Sequence, residues 1–159
     1  MESNAKPSVV IVDDEEMVIT SLRAFLRLET DFQVEGFTDA EKAVEFLHGH
    51  PVDVVVSDYL MPKMNGIQFL AKAKESQPEA SRVLLTGHAD KQSAIQAINE
   101  VQLFQYLEKP WENSQLLLVI QSGIERARLI RDLRDKVSEL DAAHSSIKQV
   151  NKRLLQAFL

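Results

Sequence analysis

Five times along this chain a short aliphatic run stops at a polar residue and gives way to a segment with apolar residues at helical spacing. The runs occupy Ser8–Val12, 32–37, 52–57, 82–85 and 103–107. Short, nearly unbroken Val/Ile/Leu runs fit strands buried on both faces, as in a parallel sheet covered by helices. The segments between them carry apolar residues three and four apart, such as Ile19, Leu22 and Leu26, or Ala94, Ala97 and Val101. A strand–helix order repeated five times predicts right-handed crossovers and an α/β fold, a (βα)5 doubly wound parallel five-stranded sheet. Local signals place the breaks. Thr38 with Glu41 matches a capping box for the second helix, residues 48–51 (HGHP) end it, and Gln77-Pro78 ends the third.

Within this frame one stretch concentrates the chemistry. Residues 54–66, VVVSDYLMPKMNG, read as a strand, an exposed acid at Asp58, a tight loop and the start of a helix. Open α/β sheets place their sites at the carboxyl ends of the strands. A parallel sheet therefore brings Asp13, Asp14, Asp58, Thr86 and Lys109 to one rim. Clustered carboxylates repel one another, and a hard dication such as Mg²⁺, held by few carboxylates and several waters, would compensate them and leave room for a phosphate. With Lys109 as a second positive charge and Thr86 as a hydroxyl donor, the set describes a phosphoryl-transfer site with Asp58 as the nucleophile.

The combination Asp13-Asp14, Asp58 with MPKMNG, Thr86-Gly87 and Lys109-Pro110 closely resembles the receiver domain of two-component response regulators over residues 7–123. The resemblance implies a flavodoxin-like fold and phosphorylation of Asp58 by a histidine kinase or a phosphotransfer protein. It implies that Mg²⁺ is bound by Asp14 directly, by Asp13 largely through water, by Asp58 and by the backbone carbonyl of Leu60. It makes Thr86 and Lys109 the partners of the phosphoryl group, and Thr86 with Tyr106 a conformational switch. Leu60 and His88 fall where family members tune hydrolysis of the aspartyl phosphate. The KPW form at residues 109–111 resembles receivers joined to phosphodiesterase, phosphatase or kinase modules.

Composition excludes several classes. The chain has no cysteine, so a disulfide framework, a thiolate metal site and a cysteine nucleophile are ruled out. Its longest uncharged apolar run, 116–120, is far too short to span a bilayer, and no signal-peptide pattern opens the chain, so a cytoplasmic protein is expected. From Glu125 onward there are eight Lys/Arg and five Asp/Glu, a charge of +3 against −9 for the preceding residues. The acidic body is a poor nucleic-acid binder. The Arg-rich stretch RARLIRDLRDK has interleaved acids at Asp132 and Asp135 and reads as a solvated helix face rather than a DNA contact.

The fifth helical pattern does not stop where a domain helix should. With Ile130, Val137, His144, Asn151 and Phe158 at heptad position a, Leu133, Leu140, Ile147 and Leu154 fall at d, and an Asn at one a position favours a parallel two-stranded register. The expectation is a receiver over 7–123 and a coiled-coil extension over 124–159, dimerising in parallel. The helical pattern runs to the last residue, so the extension is expected to lead to an absent effector such as an HD-GYP phosphodiesterase. Two other classes remain open: an interaction protein whose coil binds a partner, and a Mg²⁺-dependent phosphate-ester hydrolase of similar topology. The hydrolase would turn over an external ester, whereas a receiver labels its own aspartate and then loses the phosphate. The lack of a Gly-rich loop after the first strand counts against nucleotide binding.

Overall fold

The computed structural model describes residues 5–158. Its elements are β1 (Ser8–Val12), α1 (Glu16–Glu29), β2 (Gln33–Phe37), α2 (Ala40–Gly49), β3 (Val54–Asp58), α3 (Gly66–Ser76), β4 (Ser81–Thr86), α4 (Lys91–Glu100), β5 (Gln105–Glu108) and α5 (Asn113–Ala157). A single turn of 3₁₀ helix, His88–Asp90, precedes α4. The strands lie in the order β2-β1-β3-β4-β5, and every neighbouring pair is parallel. This is the (βα)5 doubly wound, flavodoxin-like fold.

Alternation along the strands splits the core into two layers. Val10, Val12, Val55 and Leu84 face the layer completed by Leu47, Phe69, Leu70 and Ala97 of α2, α3 and α4. Val9, Ile11, Val54, Val56, Val83 and Leu85 face Leu22 and Leu26 of α1 and Leu116 and Ile120 of α5. These strand residues are fully buried, which is why the sequence shows aliphatic runs rather than alternation.

Local chemistry departs from the sequence reading at two helix starts. The α2 cap is Asp39, whose carboxylate accepts from the Glu41 backbone N–H at 2.9 Å, so the Thr38/Glu41 box does not form. Docking of Ala40, Ala43 and Leu47 on the sheet sets the helix start one residue later, where Asp is an equally good cap. A capping box does form at α3, reciprocally between Asn65 and Gln68. Gly66 opens that helix because a Cβ there would stand 2.2 Å from the Asp58 carbonyl oxygen, so only glycine lets α3 start against the end of β3. The strands are also shifted slightly toward their polar ends, β3 running to Asp58 and β5 to Glu108.

Helix α5 is 45 residues long, or about 68 Å at the usual rise. Its buried residues are Leu116, Ile120, Gly123, Ile124 and Ala127. Gly123 allows a close approach to the sheet, since an added Cβ would meet Val54 Cγ2 at 3.0 Å and Ser81 Cβ at 3.2 Å. From Asp132 on, every described residue of the helix is exposed, and Leu133, Leu140, Ile147 and Leu154 each show between 51% and 69% of their surface. Among the described residues no helix is long and apolar enough to cross a membrane.

Candidate functional site

Each site residue hangs on the carboxyl end of a strand or within two residues after it. Backbone hydrogen bonds stitch that rim together: Asp13 N–H to Phe37 O at 3.1 Å, Tyr59 N–H to Leu85 O at 2.9 Å, and Lys109 N–H to Thr86 O at 2.8 Å. Asp13, Asp14 and Asp58 thereby come together, with one carboxylate oxygen from each lying within 4.8 Å of the others. Lys109 Nζ reaches Asp58 Oδ1 at 2.8 Å. The Lys109–Pro110 peptide is cis.

Asp58 is 5% exposed and Asp13 1%, so the expectation of an exposed acid at 58 is corrected. Asp58 is paired with Lys109, while Asp14 is the exposed member of the three. The loop is tightly made, with Lys63 at a positive φ of 67° and Met64 N–H bonded to Pro62 O at 2.7 Å.

The electrostatics of the rim are unbalanced. Burial, joined by the neighbouring charges of Asp58 and Asp14, pushes the Asp13 carboxyl up from 3.8 to about 6, against opposition from the Glu15 N–H and Lys109. Asp13 Oδ1 accepts the Glu15 N–H at 2.9 Å, but Oδ2 is buried without a partner. For Lys109, partial burial works against the ammonium form. Its bond to Asp58 and the charges of Asp58, Asp13 and Glu15 outweigh that and hold it above its ordinary value. Among the described residues, one ammonium beside three carboxylates leaves a net negative cluster with one buried oxygen unpartnered. A hard cation fits such a donor set.

Thr86 is fully buried and donates its hydroxyl to Gly87 O at 3.2 Å, within its own loop. Tyr106 is half-buried against the apolar layer beneath α4. Leu60 is exposed. Trp111 packs at the start of α5 with Lys109 Nζ 6.0 Å from its ring centre.

Two features escaped sequence reasoning. His88 Nδ1 pairs with Glu108 Oε1 at 2.5 Å, linking the loop after Thr86 to the residue before Lys109, and Lys91 adds a longer contact at 3.9 Å. The His88 hydrogen bond pulls the Glu108 carboxyl below its ordinary value. Arg82 is 1% exposed and has no acid partner among the described residues; its guanidinium donates to the carbonyls of Val101 at 2.8 Å, Ala80 at 3.0 Å and Gln102 at 3.3 Å. Burial first and the charge of Arg126 second pull it to about 10, still protonated at neutral pH. An arginine opening an otherwise aliphatic strand was the available signal for a buried carbonyl cap.

Residues 9–121 match the family model of the response regulator receiver domain. The chain belongs to that family. This receiver is similar to the hydrogenase transcriptional regulatory protein HoxA of Cupriavidus necator, at 29% identity over 153 residues, covering 96% of this chain and 31% of HoxA. The chain thus spans about a third of the length of that relative. Among solved structures it is similar to the signal receiver domain of an HD domain-containing protein from Pseudomonas fluorescens Pf-5, with a TM-score of 0.72, 32% identity and coverage of 77% of this chain and 98% of that one. It is similar also to an adenylate cyclase structure from Rhodopirellula baltica, with a TM-score of 0.80, 27% identity and coverage of 84% and 98%. Receivers of this family are phosphoacceptor regulators in two-component signalling, and the match favours neither a phosphate-ester hydrolase nor a separate interaction module.

Proposed function

We propose that Asp58 is the phosphoacceptor and that the long fifth helix carries the resulting change to a partner copy. The observation that bears most weight is the Lys109–Asp58 ion pair beside Asp13 and Asp14, because it joins a nucleophilic oxygen to a fixed cation within a cluster of hard oxygen donors. An Asp58 carboxylate oxygen attacks the phosphorus of a phosphohistidine on a histidine kinase or phosphotransfer protein. The P–N bond breaks, and its electron pair stays on the donor imidazole. Mg²⁺ would be held by Asp13, Asp14, Asp58 and the Leu60 carbonyl, and when bound it supplies neutralisation of the transferring oxygens. Lys109 is already placed at Asp58 and follows the new phosphoryl oxygens. Attack of water on phosphorus later restores the carboxylate.

The switch assigned to Thr86 and Tyr106 has a physical basis. The Thr86 hydroxyl now spends its proton on Gly87 O, a neutral acceptor, and a phosphoryl oxygen is a stronger one. Turning toward it would open space at the end of β4, into which the proposed switch moves the Tyr106 ring. Such a ligand shifts the equilibrium only through these differential contacts.

The division into a receiver over 7–123 and an extension over 124–159 belongs to the same proposal, although the first turns of the extension still rest on the body. The exposed aliphatic stripe of α5 fits a parallel homodimer. The a and d positions lie roughly a quarter-turn around the helix from the face that packs on the sheet, at about 100° per residue, so pairing and packing do not compete. His144 and Asn151 weaken the seam, which suits a dimer conditional on phosphorylation. An effector such as an HD-GYP phosphodiesterase would follow the coil, and the likeness to a receiver from an HD domain-containing protein supports that class. A cytoplasmic site of action follows from the proposed kinase partner.

The test is intact mass after incubation with Mg²⁺ and acetyl phosphate, for the wild type and Asp58→Asn, with molar mass in solution measured in parallel. One phosphoryl adduct on the wild type alone, with a rise in molar mass, supports both parts of the reading. An adduct with an unchanged molar mass counts against the conditional dimer.

A further inference from the structure

The basic character of the start of the extension has an unexpected destination. Arg128, Arg131 and Arg134 recur at a spacing of three and pair with acids of the body; the reading of this stretch as a solvated face is corrected for Arg128 and Arg131, while Arg134 is exposed and pairs also with Asp135. Arg131 Nη1 meets Asp53 Oδ1 at 2.5 Å, and its Nη2 donates to the Val52 carbonyl. Arg128 Nε stands 3.7 Å from the same Asp53 oxygen, and its Nη2 donates to Ala5 O at 2.7 Å. Arg134 Nη1 pairs with Glu79, which also receives Arg131 Nε at 3.6 Å.

Asp53 is the hub of this array. It precedes β3 and is 5% exposed. Its backbone bonds to Ser8 O on one side and to the Ser81 N–H on the other, each at 2.9 Å, and its Oδ2 accepts the Ser8 N–H at 2.9 Å. It is thus fixed to β1 and β4 at once. The helix is fixed to the same place through Ser81, whose hydroxyl donates to Gly123 O at 2.7 Å and accepts from Arg126 at 3.2 Å. Apolar burial on α5 ends at Ala127, yet polar anchoring continues for two further turns. A charge so buried holds its partners tightly, because releasing them leaves it uncompensated.

We infer that Asp53 and Glu79, gripped by Arg128, Arg131 and Arg134, form a clamp that makes α5 as far as Arg134 a rigid continuation of the receiver and sets the direction in which the aliphatic stripe faces. This rests on the reading of α5 as the relay: an unclamped helix would pivot where apolar burial ends, and a change in the receiver would be lost there. The clamp holds Arg128 and Arg131 at heptad positions f and b, away from the a and d seam, so these two contacts stay made while a second copy is bound; Arg134, at e, flanks the seam. Asp53 and Arg131 are positioning residues; neither touches the phosphoryl group.

The chain has no cysteine, so two can be introduced uniquely. Spin labels at Lys72→Cys on α3 and Ser145→Cys on the free helix, diluted with unlabelled chain, report one intramolecular distance distribution. The wild type is expected to give a narrow distribution, and Arg131→Gln or Asp53→Asn to broaden it at least about twofold. The double variant should be no broader than the wider single, because both remove one shared contact. Asp53→Asn keeps an acceptor for the Ser8 N–H, and the partly exposed Arg131 tolerates substitution, so at least one variant folds. Unchanged widths in a folded Arg131→Gln protein would overturn the clamp. The phosphoryl adduct, measured on the same samples, should be unaffected by either change. Its absence from the wild type would overturn the phosphoacceptor reading and leave the distance widths to judge the clamp alone.

Discussion

Strand β3 has a buried aspartate at its carboxyl end, Asp58, and another just before its amino end, Asp53, and the two live in opposite surroundings. Asp58 shares its rim with two further carboxylates and a single lysine. Asp53 faces two arginines and a backbone N–H, and the acid that shares Arg131 with it, Glu79, has a further partner in Arg134. Residue type and burial are the same, so neither makes an aspartate reactive. What separates them is the local excess of charge: a rim short of positive charge has room for Mg²⁺ and a phosphoryl group, whereas a saturated carboxylate is a fastening. In the proposed reading, signal input and mechanical attachment sit at opposite ends of β3.

Removing the single cation from the acidic rim should have the largest effect. Lys109→Ala is expected to slow phosphorylation by acetyl phosphate about 10²–10³-fold, the usual consequence of deleting one transition-state charge partner; equal rates would place Lys109 outside the reaction. At the other end, Asp53→Ala strips the acceptor from Ser8 N–H and Arg131 together. It should cost about 2–3 kcal/mol in urea unfolding while leaving the phosphoryl adduct intact. A variant that folds with wild-type stability would make the array ornamental.

The pH response sharpens the contrast, because the raised Asp13 pKa has a definite sign. Since its folded pKa of about 6 exceeds the ordinary 3.8, its contribution favours the fold fully below the ordinary value and is lost as pH rises through about 6. At pH 7.5 without metal the charged Asp13 therefore works against the fold, and Asp13→Asn should stabilise the protein by on the order of 2 kcal/mol. The gain should shrink as pH falls below 6, as thermal unfolding at the two pH values would register; a destabilised variant would contradict the unbalanced rim. Smallest of all, Arg134→Ala should leave the urea midpoint nearly unchanged, since its guanidinium is exposed and pairs also with Asp135. A larger loss would move the weight of the clamp from Asp53 to Glu79.

The acidic rim was legible in the sequence because its information is local: each residue sits at the end of an aliphatic run, and a parallel topology does the rest. The clamp was not, because Arg131 and Asp53 are 78 residues apart and nothing local says which helix face meets the body. Interleaved acids at Asp132 and Asp135 made the arginines look self-compensated, although Arg128 and Arg131 pair across to the body instead. The burial of Asp58 was missed for a related reason. A lone acid at a strand end looks solvated until the lysine that pairs with it is placed. The α2 cap failed by one residue because Thr38 and Asp39 are both good caps, and the docking of Ala40, Ala43 and Leu47 chose between them.

Reductive trapping with borohydride converts an aspartyl phosphate to homoserine, which peptide mass spectrometry locates to a residue. After incubation with Mg²⁺ and acetyl phosphate, the wild type should carry homoserine at position 58 and none at Asp53, its equally buried counterpart on the same strand. Homoserine at Asp53, at Asp13 or at Asp14, or none anywhere in protein that binds Mg²⁺, would contradict the assignment of the acidic rim as the input of this receiver.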